Sequence, residues 1–333
     1  IMSKIANTLL GLAAGLAVGV GLGILFAPDK GKNTRKKIKD SITDKVDELK
    51  EQVEIMKQWM LLGLLGLGAV AQAHDVWVAA PTHQPAGQIL HADLGYSHDF
   101  PNVEKIADDR VHIFKPLQLT GSSKKTVDLV NKGENYQYVS KAALPEGSYW
   151  VSATYKPTFW SKNQDGWKQQ TLKQLAGATY CEQAQMFGKS FVQVGNGAVD
   201  EAVLTRPIGQ ELELVPLKNP NEVKAGGILP VKVLYKGEPL VKATVTASSD
   251  TLAEMDLEST HDHREPQGFS GKTDKNGVVN VITLIDGLWK IKVVNETDYS
   301  DKSVCQQDKA YATLIVPVGT KRAAARHALH HQH

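Results

Sequence analysis

The sequence contains only two cysteines and has no strong excess of either charge. Two cysteines among 333 residues exclude a disulfide-dense scaffold and a four-thiolate zinc site, although they allow one disulfide. The formal net charge is +2, from 38 basic and 36 acidic residues, so no nucleic-acid partner is expected. Because 42% of the residues are hydrophobic, disorder over the whole length is also excluded.

Familiar catalytic motifs are missing as well. The sequence has no Gly-rich phosphate loop, no nucleophile elbow, no H-E-x-x-H helix and no zinc-ribbon spacing. We therefore predict that the chain is not an enzyme.

The first 55 residues carry two patterns that are typical of membrane proteins. Residues 9–27 are all apolar or glycine, which is about the length that spans a bilayer, so a transmembrane helix is predicted within residues 1–28. Residues 29–55 begin with many lysines and then show apolar residues every three or four positions, which predicts an amphipathic helix. Glycines at every fourth position of the first helix leave self-association open, although small residues are also common in short membrane anchors.

Residues 56–73 have the three parts of a secretory signal peptide. A short positive start at residues 56–58 is followed by an apolar run at residues 59–70 and an A-x-A cleavage site at residues 71–73. Its position 55 residues into the chain has two explanations: two joined reading frames with a second start at Met56, which we favour, or a natural fusion. Both place the chain from His74 onward in the periplasm or outside the cell. It would be membrane-anchored if the N-terminal segment is retained.

After His74, alternating apolar and polar residues predict a mainly β fold with two antiparallel β-sandwich modules. The first module covers residues 74–216, and the second, Ig-like or transthyretin-like, covers residues 217–318. Within them we expect a strand at residues 110–114 and one helix at residues 166–175. Residues 319–333 lack core residues and are predicted to be a disordered, His-rich tail.

Six short segments occur in the same order as in one known family. They are His74-Asp75-Val76-Trp77, residues 95–101 (GYSHDFP), residues 147–151 (GSYWV), residues 156–160 (KPTFW), residues 235–240 (YKGEPL) and residues 273–277 (TDKNG). Residues 74–318 thus resemble the periplasmic component of nickel or cobalt uptake systems (NikK-like), a family of unknown function. The resemblance implies a secreted two-part β protein linked to divalent transition metals. Residues 2–55 resemble the YtxH-like small membrane proteins.

Cleavage after Ala73 would make His74 the new N-terminus. A terminal histidine can chelate a metal through its amine and its imidazole Nδ1, and one further histidine completes a T-shaped site that suits Cu(II) or Ni(II). We choose His98 as this partner, with His83 and His91 in reserve. The alternative is that His74 marks only a cleavage position and that His98 is an ordinary loop residue.

Two further groups of residues are candidates for ligands or crosslinks. His261 and His263 could hold one ion from the same face of a strand, although their segment is polar and reads more easily as a solvated loop. Cys181 and Cys305 are predicted to form a disulfide, because thiols oxidise outside the cytoplasm. Free buried cysteines are the alternative.

The sequence therefore predicts an exported metal-binding accessory protein. It would bind nickel, cobalt or copper and deliver the ion to a membrane transporter component. The alternative is a structural envelope protein, or a self-assembling β-sandwich, that needs no metal.

Overall fold

The computed structural model describes residues 74–255 and 266–319, and these form a mainly β fold as predicted. The predicted transmembrane helix, amphipathic helix and signal peptide lie outside the described residues, as do His261, His263 and residues 320–333 of the tail. None of the helices described is long and apolar enough to cross a membrane.

Eighteen strands are described, in three sheets. The first ten are β1 (Asp75–Ala79), β2 (His83–Gln84), β3 (His91–Ser97), β4 (Gln118–Thr120), β5 (Thr126–Asp128), β6 (Val130–Asn131), β7 (Gln137–Val139), β8 (Gly147–Asn163), β9 (Gly166–Lys168) and β10 (Tyr180–Val194). The others are β11 (Leu212–Pro216), β12 (Gly227–Tyr235), β13 (Glu238–Pro239), β14 (Thr244–Ser249), β15 (Phe269–Lys272), β16 (Val278–Thr283), β17 (Gly287–Asp298) and β18 (Gln307–Val318). Two short helices, α1 (Glu201–Leu204) and α2 (Asp250–Met255), and two 3₁₀ turns, Val111–Ile113 and Pro220–Glu222, complete the elements described.

The central sheet has ten strands and is flanked by two smaller sheets. Its order is β15-β14-β17-β18-β10-β8-β4-β5, with β2 added beside β10 and β9 beside β8. The N-terminal sheet has the order β1-β3-β7-β6, and the C-terminal sheet has the order β11-β12-β13 with β16 beside β12. Pairing is antiparallel except that β10 runs parallel to both β18 and β2.

Both predicted modules contribute strands to the central sheet. β8 and β10 precede the predicted boundary at residue 217, whereas β17 and β18 follow it. The two groups join where β10 and β18 pair over nine residue positions, from Glu182 opposite Gln307 to Ser190 opposite Ile315. The boundary itself remains a prediction.

Strand β10 is buried on both faces, which explains its unbroken run of buried positions from Ala184 to Val194. Phe187 and Phe191 face the core shared with the C-terminal sheet. Met186 and Val192 face the core shared with the N-terminal sheet. The small sheets therefore cover opposite faces of this strand.

The N-terminal sheet meets the central sheet through the free edge of β1. The backbone carbonyl of Val76 accepts a hydrogen bond from Thr313 Oγ1 at 2.6 Å, and that of Val78 accepts one from Ser190 Oγ. Strand carbonyls that would otherwise lack a partner are satisfied in this way. Gly188 permits the close approach, because a Cβ there would lie 3.0 Å from Trp77 Cα.

On the opposite face, a buried ion pair joins β10 to the C-terminal sheet. Lys189 Nζ lies 2.8 Å from Glu213 Oε1, and both side chains are almost fully buried. Glu213 also accepts hydrogen bonds from the backbone amides of Ile208 and Gly209, and the ammonium lies 4.4 Å above the Trp150 ring. Burial lowers the pKa of Lys189, and Glu213 opposes this shift.

Two local predictions were wrong. Residues 110–114 do not form a strand, because the chain makes a turn at Arg110 and then the 3₁₀ turn Val111–Ile113. Residues 166–175 do not form a helix. They begin with β9, which folds back on β8 with Gly166 opposite Asn163, and they continue in turns.

The predicted disulfide is confirmed. Cys181 at the start of β10 is bonded to Cys305, which lies just before β18, and the two residues are 124 positions apart. Both are fully buried. The bond therefore closes a long loop beside the first residues of the parallel β10–β18 pair.

We expect Glu213→Gln to lower the free energy of unfolding by about 3–5 kcal/mol, because it leaves the buried Lys189 cation without its partner. The matched control is Glu211→Gln, which removes a solvent-accessible pair with Lys236 at 3.7 Å and should change stability by less than about 1 kcal/mol. Urea unfolding followed by circular dichroism measures both. Equal effects of the two substitutions would contradict the importance of the buried pair.

We expect the double substitution Cys181→Ser, Cys305→Ser to lower the free energy of unfolding by about 2–4 kcal/mol, because the unfolded chain gains loop entropy. Reducing the wild-type protein with dithiothreitol should produce a similar loss, and the reductant should not change the double variant. Thermal unfolding with and without reductant measures this. An unchanged midpoint in the double variant would show that the bond contributes nothing to stability.

Candidate metal centre

The pairing of β1 with β3 places His74 beside His98. Asp75 is opposite Ser97 and Val76 is opposite Tyr96 in this antiparallel ladder, so one further step puts residue 74 opposite residue 98. Directly opposed residues project to the same side of a sheet. The two imidazole rings accordingly have centroids only 4.1 Å apart.

The contact between Trp77 and Gly95 is compatible only with this register. The Trp77 ring lies on the backbone of Gly95, where an added Cβ would meet ring atoms at 2.1–2.4 Å. A shift of one residue would reverse the direction of every side chain on β1. Gly95 is therefore needed for the strand pairing that brings the histidines together.

Asp75 fixes the start of β1 next to His74. Its carboxylate lies 2.7 Å from Lys290 Nζ and 2.5 Å from Lys292 Nζ, both on β17. Burial alone would raise the pKa of Asp75, but the two lysines hold it down, at about 2. The carboxylate is therefore ionised at neutral pH, and both of its oxygens are engaged by ammonium groups.

His74 is half-buried and electrically neutral at pH 7. Burial, and then the proximity of His98 and Arg110, lower its pKa to about 4, although Asp75 opposes the shift. A neutral imidazole keeps the nitrogen lone pair that binds a metal. The arrangement thus favours the form of His74 that can act as a ligand.

Four aromatic side chains, Tyr96, Phe114, Tyr155 and Trp160, form an aromatic floor beneath His74. Tyr96 stacks on the His74 ring with centroids 4.7 Å apart, and its own ring contacts those of Phe114 at 5.1 Å and Tyr155 at 5.9 Å. Trp160 Nε1 donates a hydrogen bond to Tyr155 Oη at 2.6 Å. The rings limit the space beneath the histidine pair and fix the position of His74.

The reserve candidates do not join this pair. His83 lies on β2, with Nε2 2.7 Å from the carbonyl oxygen of Gly195. His91 is at the opposite end of β3 from His98 and forms an ion pair with Asp93 at 2.8 Å. Cys181 and Cys305 form the disulfide and are not thiolate ligands.

At this site the described residues supply two side-chain ligands, the imidazoles of His74 and His98, which do not make a complete ligand set. Among residues 74–255 and 266–319 there is no group of three His, Cys, Asp or Glu side chains that could hold a metal. A third nitrogen could come from the amine of His74 if the preceding peptide bond were cleaved.

Two parts of the site were missed by reasoning from the sequence. The sequence pattern predicts a strand at Arg110, whereas the residue lies at a turn with its guanidinium carbon 4.9 Å above the Trp160 ring. Tyr96, next but one to His98, was not singled out. Its position two residues before His98, near the end of β3, was the available signal, because residues two apart along an extended chain share a face.

Comparison with known proteins gives one extensive match in sequence. The family described as a domain of unknown function, DUF4198, matches residues 71–297, and the family of YtxH-like proteins matches residues 9–76. A search of curated proteins gave no match.

Among solved structures, two of Salmonella alpha-2-macroglobulin are similar, one after reaction with methylamine and one of a point mutant. Each is 13% identical, covers 73% of this chain and 15% of its own chain, and gives a TM-score of 0.18. The present chain thus spans about 15% of the length of that protein.

We expect the burial of His74 to make the protein less stable as the pH falls from about 6.5 to about 4. In this range the unfolded chain binds a proton on His74 that the folded protein does not, so unfolding is favoured. His74→Gln should reduce this loss of stability, whereas His112→Gln, at an exposed position, should not. Urea unfolding at several pH values, with EDTA present, measures the difference. Identical pH dependence in wild type and His74→Gln would contradict it.

Proposed function

The chain belongs to the DUF4198 family of unknown function, and on that premise we propose that it is an exported metal-binding protein. It holds nickel, cobalt or copper through His74 and His98 and delivers the ion to a membrane transporter component. The observation that carries this proposal is the 4.1 Å separation of the His74 and His98 ring centroids. His74 directly follows the predicted signal-peptide cleavage sequence.

Removal of residues 1–73 would complete the ligand set. The new amine of His74 and its imidazole Nδ1 can bind one ion as a chelate, and the ring of His98 lies close enough to add a third nitrogen. Three nitrogens in a T shape suit the tetragonal preference of Cu(II) and Ni(II). In this arrangement the chain leaves at least one coordination position for a ligand from solution.

Two properties of the site support reversible binding of an ion as cargo. The anchor of Asp75 to Lys290 and Lys292 holds the start of β1 in place, which limits the rearrangement needed when a metal binds. His74 is neutral before the metal arrives, so no proton must leave its ring at pH 7.

The resemblance to the periplasmic component of nickel or cobalt uptake systems agrees with this role. It supports nickel or cobalt as the cargo and a membrane transporter component as the partner. The ligand chemistry alone does not separate these ions from copper, because nitrogen sites bind copper more tightly than nickel or cobalt. Metal availability in the exported compartment would then decide which ion is carried.

The test is calorimetric titration of Ni(II) and Cu(II) into the processed protein. The full chain is expressed with its own N-terminal segment, recovered from the periplasm, and its N-terminus is established by intact mass. Wild type should bind one ion with a dissociation constant of about 1 μM or lower. His98→Ala should weaken binding at least about tenfold, which corresponds to about 1.4 kcal/mol for one lost ligand.

Two controls make the result specific to this site. His112→Ala replaces an exposed histidine outside the pair and should bind like wild type. A variant of Ala73 that blocks cleavage leaves His74 without a free amine and should bind weakly. Absence of tight binding by a wild-type protein that begins at His74 would refute the proposed function.

A further inference from the structure

Arg110 is held beside the histidine pair by aromatic contacts. Its guanidinium carbon lies 4.9 Å above the ring of Trp160, and its Nη1 donates to Tyr96 Oη at 3.4 Å. Tyr96 in turn stacks on His74. One tyrosine ring therefore separates the guanidinium from the first ligand of the proposed metal.

Most of the hydrogen-bonding capacity of Arg110 remains available. A guanidinium has five N–H donors, and only the bond to Tyr96 joins this one to another described side chain. In the part of the chain that the structure describes, no carboxylate lies within 4 Å of it to form an ion pair. An arginine that stacks on an aromatic ring and makes no direct ion pair can bind an external carboxylate through two parallel hydrogen bonds.

The charges around the histidine pair favour a metal that arrives with an anionic ligand over a bare dication. The nearest carboxylate in sequence, Asp75, is already paired with both Lys290 and Lys292. Asp99, which follows His98, is exposed and accepts a hydrogen bond from Asn102. A divalent ion would therefore add two positive charges beside the cationic Arg110 without a carboxylate ligand from the described chain.

We propose that the site takes its metal as a complex with a small carboxylate chelator, whose free carboxylate binds Arg110 while the metal binds His74 and His98. This inference rests on the proposed metal binding and specifies the form of the cargo. The chelator fills the coordination positions that the protein leaves open and neutralises the charge of the ion. Its carbon skeleton lies against the aromatic floor.

The experiment compares two complexes of nickel that differ in charge. Processed full-chain protein is titrated with the 1:1 complex of Ni(II) with citrate, which supplies carboxylates, and with the 1:1 complex with ethylenediamine, which leaves the dication uncompensated. Wild type should bind the citrate complex at least about tenfold more tightly than Arg110→Gln does, the magnitude expected for a lost charge-assisted contact. Binding of the ethylenediamine complex should not fall in Arg110→Gln.

Two more variants separate the role of the paired N–H donors of Arg110 from a general effect on folding. Arg206→Gln removes an arginine that donates to the carbonyl of Gly121 and lies outside the site, so it should bind both complexes like wild type. Arg110→Lys keeps the charge without the paired donors and should show an intermediate loss for citrate. Near- and far-ultraviolet circular dichroism establishes that each variant is folded.

The possible failures are distinguishable. If wild type binds neither Ni(II) nor Cu(II) in the titration of free ions, the proposed function fails. If wild type binds nickel but Arg110→Gln reduces both complexes equally or neither, the function stands and the carboxylate inference is overturned.

Discussion

The ion cluster of Asp75 with Lys290 and Lys292 is the interaction on which the candidate site depends. The cluster buries the carboxylate of Asp75, the first residue of β1, and connects that strand to β17. Lys290 on β17 is 215 positions away from Asp75 in the chain. The hydroxyl bonds from Ser190 and Thr313 to the edge of β1 extend this attachment along the strand. Because His74 immediately precedes Asp75, the cluster also determines where the candidate ligand lies.

A buried ion pair between a lysine and a carboxylate occurs on each face of the central sheet. Lys290 on one face reaches Asp75 and lies 5.4 Å from the Trp77 ring, whereas Lys189 on the other reaches Glu213 and lies above Trp150. Buried ion pairs add little net stability relative to apolar residues, but removal of one partner is strongly unfavourable. We interpret the two ion pairs as determinants of how each small sheet packs on the central sheet, because a different packing arrangement would leave a buried charge unpaired.

Local patterns in the sequence predicted much of the fold and half of the site. Alternation identified β1, β11 and β18, because each depends on neighbouring residues, and the predicted export of the chain led to the prediction of the Cys181–Cys305 bond. The parallel β10–β18 pair could not be predicted, since it joins segments more than 120 positions apart. The His74–His98 pair was chosen from chemistry, whereas Arg110 was missed because its role arises from Trp160, 50 residues later.

The charge distribution explains why a protein would place two histidines beside cations. A site for tight, permanent binding of a dication normally gathers carboxylates or thiolates around it, and among the described residues no such third ligand joins His74 and His98. Here the one buried carboxylate beside the pair, Asp75, is used to hold the strand instead. A neutral His74 imidazole and a nearby guanidinium would make the affinity for a metal depend on the anion that accompanies it. Such a dependence would suit the proposed carrier, which must release its metal, more than a site that must keep it.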